Sequence, residues 1–150
     1  MVGKSPVFTE FINEVVKNKL VYALKNNEGY AMSISNYFVT DEDEMIHLFC
    51  FWSKKLEAEK CLVEEWGEYQ VEKIPLATFM EDWCIGTSNE NYGLGINFDT
   101  EANGLEVDPL ELLLAISEKL IQENNEIKFK KFKSVKEIKH LAKHAISYEN

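Results

Sequence analysis

The residues in this chain that could do chemistry are paired carboxylates, histidines and thiols. Carboxylates pair at Glu64-Glu65, at Glu81-Asp82, along Asp41-Glu42-Asp43-Glu44, and at Glu106 with Asp108. A catalytic carboxylate pair needs unequal surroundings that split its two pKa values. All of these lie in hydrophilic stretches, so solvated charge is the expectation. Asp41, Glu42, Asp43, Glu44, Glu64, Glu65 and Glu68 are accordingly read as an interaction surface suited to a basic partner. His47 sits between Ile46 and Leu48, where it could titrate near neutrality or hydrogen-bond at a sheet surface. Together with Trp52 and Trp83 it defines the alternative, an enzyme with a small pocket. His140 and His144 stand four apart, a spacing that can hold a metal on one helix side. No Glu follows the first of them and no further His or Cys is near in sequence, so a solvated helix surface is expected. No catalytic residue, metal ligand or cofactor site is assigned, and no cofactor is expected.

Complete motifs are missing as well. Gly3-Lys4-Ser5 ends like a phosphate-binding loop but lacks the leading glycine and the preceding strand. Gly93-Leu94-Gly95 has no third glycine and runs on into a strand, against a dinucleotide site. Asp99 to Gly104 starts like a calcium loop, yet the position that must carry a bidentate Glu is Leu110; a tight turn is expected there instead. No G-x-S-x-G elbow occurs.

Charge and composition narrow the function classes. Residues 1–124 hold nine Lys against 23 acidic residues, net −14, whereas residues 125–150 hold seven Lys against three Glu, net +4. Affinity for nucleic acid rests chiefly on neutralising phosphates, so nucleic-acid binding is expected only through the tail, if at all. The tail's alternatives are an outside acidic partner or its own acidic body. Cys50, Cys61 and Cys84 are odd in number and form no CxxC pair, which suits a reducing cytoplasm. The stretch "MVGKSPVFTEFINEVV" does not resemble a secretory leader and no apolar run approaches the roughly 20 residues of a membrane helix, so a cytoplasmic protein without membrane contact is expected.

The elements that must position these groups follow from spacing. Ser5-Pro6 opens a helix whose stripe is Phe8, Phe11, Ile12, Val15 and Val16. "LVYALK" and "YAMSIS" flank Asn26-Asn27-Glu28-Gly29, a hairpin signal. "MIHLFCF" reads as a central strand covered on both faces. Ser53 is expected to cap a helix carrying Ala58, Cys61, Leu62 and Trp66, with Gly67 ending it. "YQVEKI" is a strand, "PLATFMEDW" a short helix, "YGLGINF" a strand, and Ala102-Asn103-Gly104 a turn into "LEV". Asp108-Pro109 caps a long buried helix, and Ser134 with Glu137 starts an amphipathic last one. The density of Trp and Cys between Phe49 and Cys84 is explained as core, since large aromatics dominate small interiors.

These segments give one α+β domain: a mainly antiparallel mixed sheet packed with helices, plus a C-terminal amphipathic helix. Residues 1–124 are the acidic α+β domain and 125–150 a basic extension expected to dock on it. At this length a chain buries roughly 68–70% of its unfolded surface and needs no staple.

"YALKNNEGYAMSIS", "FWSKKLEAEKCLVEEW", "IPLATFMEDW" and "GINFDTEANGLEVDPLELL" carry a resemblance over about Leu20 to Leu120. In order and wording they resemble the family named domain of unknown function 2750, with the N-terminal helix and basic tail as additions. The resemblance implies a small cytoplasmic bacterial protein with a compact mixed sheet, and it brings no catalytic residues with it. The expected function is a protein-binding module of regulatory or immunity type. The alternatives are the enzyme pocket near Trp52, His47 or Trp83, and a basic tail contacting nucleic acid or an acidic partner.

Overall fold

The computed structural model describes residues 5–39, 42–101 and 103–149. Gly3 and Lys4 of the loop-like start, Thr40 and Asp41 of the acidic run, and Ala102 of the turn lie outside the described residues. α1 (Pro6–Asn18) begins with proline at its first position and buries Phe8, Phe11, Ile12, Val15 and Val16, the stripe its spacing predicts. Ser5 occupies the N-cap, although its hydroxyl makes no capping hydrogen bond. Lys19, left-handed at φ 56°, ends the helix by giving its N–H to the Val15 carbonyl at 2.8 Å.

Two sheets follow. β1 (Leu20–Asn26) pairs with β2 (Gly29–Tyr30) and, antiparallel, with β5 (Gln70–Pro75). The tight turn forms because Asn26 Oδ1 accepts the N–H groups of Glu28 and Gly29 at 2.9 and 3.0 Å. The second sheet runs β3 (Met32–Val39), β4 (Met45–Phe51), β6 (Gly93–Ile96), β7 (Leu105–Val107). Its β4–β6 pair is parallel and the others antiparallel. The sheets are joined at a seam. Ala31 donates its N–H to Leu24 at 2.8 Å while its carbonyl accepts from Cys50 at 3.2 Å, so the chain changes partner there. Beside it Tyr22 and Trp52 exchange both backbone hydrogen bonds, at 2.9 and 2.8 Å.

β4 is covered on both faces toward its end, as its apolar run predicts. Phe49 and Phe51 face the larger core, built with α1, α5 (Pro109–Gln122) and the helical run 76–89. Leu48, Cys50 and Trp52 face a smaller core that includes Leu24, Ala58, Cys61 and Phe98. α5 is buried nearly all round, and its N-cap Asp108 accepts from Leu110 and Glu111 N–H at 3.0 and 3.1 Å. α6 (Val135–Glu149) packs on α5, with Val135, Ile138 and Ala142 fully buried. Its start is held by Ser134 Oγ accepting the Glu137 N–H at 3.2 Å and by a Glu126 carboxylate accepting the Val135 N–H at 2.7 Å. The chain is thus one α+β domain with mixed sheets and a C-terminal helix.

Two helices differ from their sequence patterns. Ser53 caps nothing: it is buried, and its N–H goes to Asn97 Oδ1 at 2.9 Å while its hydroxyl also meets the Asn97 amide. α2 is therefore only Lys55–Lys60, capped at Lys54 without a side-chain bond. Glu64, left-handed at φ 52°, then starts a separate 3₁₀ turn, Glu64–Trp66, and Gly67 stays right-handed. The "PLATFMEDW" helix is longer than its pattern, running through α3 (Leu76–Thr78), a π turn at Phe79–Cys84 and α4 (Ile85–Asn89). The widened turn brings both Phe79 and Trp83 edge-on to Phe51, at ring centroid distances of 4.9 and 5.1 Å.

Two measurements check this account. Ile138→Ala should cost about 2–4 kcal/mol through the cavity it leaves, and so lower the thermal midpoint by roughly 6–12 °C. A midpoint unchanged within error would mean that α6 is not part of the core. At Asn97, a half-exposed residue in the left-handed region, Asn97→Ala strands the buried Ser53 N–H and should cost about 1–3 kcal/mol in urea unfolding. Asn97→Asp keeps an acceptor oxygen and should cost clearly less; equal losses would show that the carbonyl is not what matters.

Candidate interaction site

The break between α2 and the 3₁₀ turn leaves the smaller core partly open, and a groove of about 460 Å³ enters there. One wall is Met32, Ser33 and Ile34 of β3; the other is Val63, Glu64, Glu65 and Trp66, with Cys61, Phe98, Asp99 and Thr100 between them. The apolar surface is fixed from behind. Trp52, fully buried, gives its indole N–H to the Phe98 carbonyl at 2.8 Å, and the Cys61 thiol meets the same oxygen at 3.3 Å. Trp66 stands edge-on to Trp52 at 6.0 Å and 86°.

The rim is anionic. Glu64 and Glu65 are exposed on their turn. Asp99 Oδ1 accepts the N–H groups of Glu101 and Asn103, each at 2.9 Å. The Asn103 and Glu101 hydrogen bonds hold the Asp99 carboxyl below its ordinary value, so it is a pinned anion. The segment that starts like a calcium loop is thus a closed turn that uses its first aspartate on its own backbone.

The remaining residues singled out from sequence are dispersed. Glu42, Asp43 and Glu44 are exposed at the far end of the β3–β4 hairpin, Asp41 lies outside the described residues, and Glu68 is exposed without lining the groove. His47 is exposed on β4, opposite Ile34. Strand alternation sets Trp52 on the other face of β4 from His47. Trp83 is half-buried among Tyr30, Phe49 and Phe51, on the side of the larger core. None of these three lines the groove.

His140 and His144 stack at 6.2 Å on the exposed side of α6, and among the described residues no group of three possible metal ligands forms. Lys128, Lys130, Lys133, Lys136 and Lys143 are exposed. Among the described residues no helix is long and apolar enough to cross a membrane.

Two carboxylates correct the expectation of solvated pairs: Glu106 is half-buried and accepts the Ser35 hydroxyl, and Glu81 is more deeply buried. Glu81 is only 5% exposed and accepts the backbone N–H of Lys131 at 3.1 Å, because the segment before α6 folds over it; its neighbour Asp82 stays exposed and meets Lys131 Nζ at 3.3 Å. The thiols are all buried. Burial pushes Cys50 up to about 12 and raises Cys61 and Cys84 too. They are protonated at neutral pH and poor nucleophiles. Burial and its hydrogen bond to Glu72 push the Tyr30 hydroxyl up to about 12, and Lys25, 3.7 Å from Glu72, completes a clasp across β1, β2 and β5.

What sequence reasoning missed is the groove's composition: Met32, Ile34, Val63, Trp66 and Asp99 come from segments far apart in the chain. Asp99 carried a signal in its turn-forming pattern, but nothing local tied it to Glu64.

Neither a curated protein nor a solved structure matches the chain. A family model described as "Protein of unknown function (DUF2750)" matches residues 8–116. The match takes in nearly all of α1, so the N-terminal helix is part of the family's region and not an addition, while α6 lies beyond it. By that match, extending from the first helix into α5, the chain belongs to the DUF2750 family.

Proposed function

We propose that this protein is a protein-binding module of regulatory or immunity type, working in the bacterial cytoplasm and engaging a basic partner through the groove beside β3. The observation that carries the reading is the combination at one place of apolar surface (Val63, Trp66, Phe98) with three rim carboxylates, Glu64, Glu65 and Asp99. Apolar surface supplies affinity on burial, while fixed charge selects the partner and speeds encounter. A net charge of −10 extends the same bias over the whole molecule. Three buried free thiols fit a reducing compartment.

The test is affinity capture by the wild type and by a Glu64→Gln/Glu65→Gln/Asp99→Asn variant over a salt series. A rim-exposed ion pair contributes about 0.2–1 kcal/mol, so losing three should weaken capture several-fold without altering the fold. A partner held at low salt, released at high salt and lost by the variant is expected. If wild type and variant retain the same proteins equally, the groove is not the binding surface. Because hydrogen bonds from Asn103 and Glu101 hold the Asp99 carboxyl below the ordinary aspartate value, the advantage of wild type over Asp99→Asn should fade only at a lower pH than an unbonded aspartate would give.

A further inference from the structure

Sheet edges are templates for pairing, and proteins blunt them with short strands, Lys, Pro or bulges. Three of the four edges here are blunted. β2 has two residues and β7 three, while β5 carries Glu72, Lys73 and Pro75. β3 is different. It is an edge of eight residues, "MSISNYFV", without a charge or a proline; a register shift between Ile34 and Val39 leaves Met32 to Ile34 as its regular part, and Ser35 gives its hydroxyl to Glu106. The groove runs along the part before that shift, Met32 to Ile34.

The surroundings of this edge differ between its two faces. Ile34 pairs with His47 and Val39 with Met45, so by alternation Ile34, Val39 and Met45 share one face. They are 45, 57 and 63% exposed, three of the five large apolar residues exposed among the described residues. Ser33 pairs with Leu48 on the opposite face, toward the smaller core, where the rim of Glu64, Glu65 and Asp99 stands.

We propose that the edge of β3 receives an extended segment of the partner as an added strand, its side chains alternately apolar and basic. This rests on the basic-partner reading above and specifies how that partner is held. Backbone hydrogen bonds to β3 supply a register, as in strand addition generally. Apolar side chains of the added strand cover Ile34 and Val39, and the basic ones reach the carboxylate rim with their methylene stems along Val63 and Phe98. A second copy of this chain is disfavoured as the occupant because it would bring the same three carboxylates against themselves.

A short synthetic peptide of alternating valine and lysine tests this, with two variants of equal charge, one N-methylated at its valines and one at its lysines. Each variant blocks one peptide edge. Binding is followed by titration, and amide hydrogen exchange is read over residues 32–39. The unmethylated peptide is expected to bind at low salt and to slow exchange along β3 by roughly tenfold, and one methylated form should bind about tenfold more weakly. Ile34→Lys should weaken binding several-fold while leaving the thermal midpoint unchanged. If all three peptides bind alike and the β3 amides stay unprotected, strand addition is overturned and the basic-partner reading survives. If the unmethylated peptide fails to bind at low salt, both fall.

Discussion

Trp52 ties together three parts of the chain. Its backbone closes the seam with Tyr22, joining β4 to β1, and its indole N–H reaches the Phe98 carbonyl beyond β6. A ring of this size, fully buried, removes roughly 150–250 Å² from water. Its hydrogen bond satisfies the one polar group that burial would leave stranded. Because the seam makes β1 and β4 one continuous curved surface, the protein has two interiors, one on each face of that surface. The larger is sealed by α1, the helical run 76–89, α5 and α6; the smaller has only α2, a 3₁₀ turn and the 98–103 turn over it.

The incomplete roof over the smaller interior is what leaves the groove open. A helix unbroken from Ser53 to Trp66 would have covered it. The side chain and N–H of Ser53 are instead committed to Asn97, and Glu64 adopts a left-handed conformation that ordinarily costs of order 1–3 kcal/mol for a residue with a side chain. The same break turns Glu64 and Glu65 outward at the groove while Trp66 still reaches Trp52. The Trp52–Phe98–Cys61 contact thus fixes the groove from the inside.

What was legible in the sequence divides along the range of the interactions. α1, α5 and α6 could be read because proline positions, caps and apolar stripes act within a few residues. The β1–β2 turn could be read because Asn26 bonds to amides two and three residues on. Ser53 could not, since its partner Asn97 is 44 residues away. Nor could the burial of Glu81, whose partner Lys131 lies 50 residues on. The acidic character of the interaction surface was visible at Glu64 and Glu65, but Asp99 and the β3 wall join them only through the closure of the smaller core. His47, Trp52 and Trp83 looked like neighbours because they fall in one aromatic-rich third of the sequence. Strand alternation sends Trp52 to the opposite face from His47, and adjacency in sequence is no guide to adjacency across a sheet.

An uncharged, proline-free edge strand is an aggregation hazard in a monomer unless something else suppresses self-pairing. Here carboxylates stand beside the edge, across the groove from Met32 to Ile34. Two copies meeting through β3 would set Glu64, Glu65 and Asp99 of each against those of the other, and a screening length of about 8 Å at physiological ionic strength does little for groups brought that close. The same field would favour a basic segment, so in the proposed mode of binding a single arrangement of carboxylates opposes one partner and favours the other. This is why the acidity and the edge are best understood together: either alone would be a common surface property, and the proposed partner follows only from the two side by side.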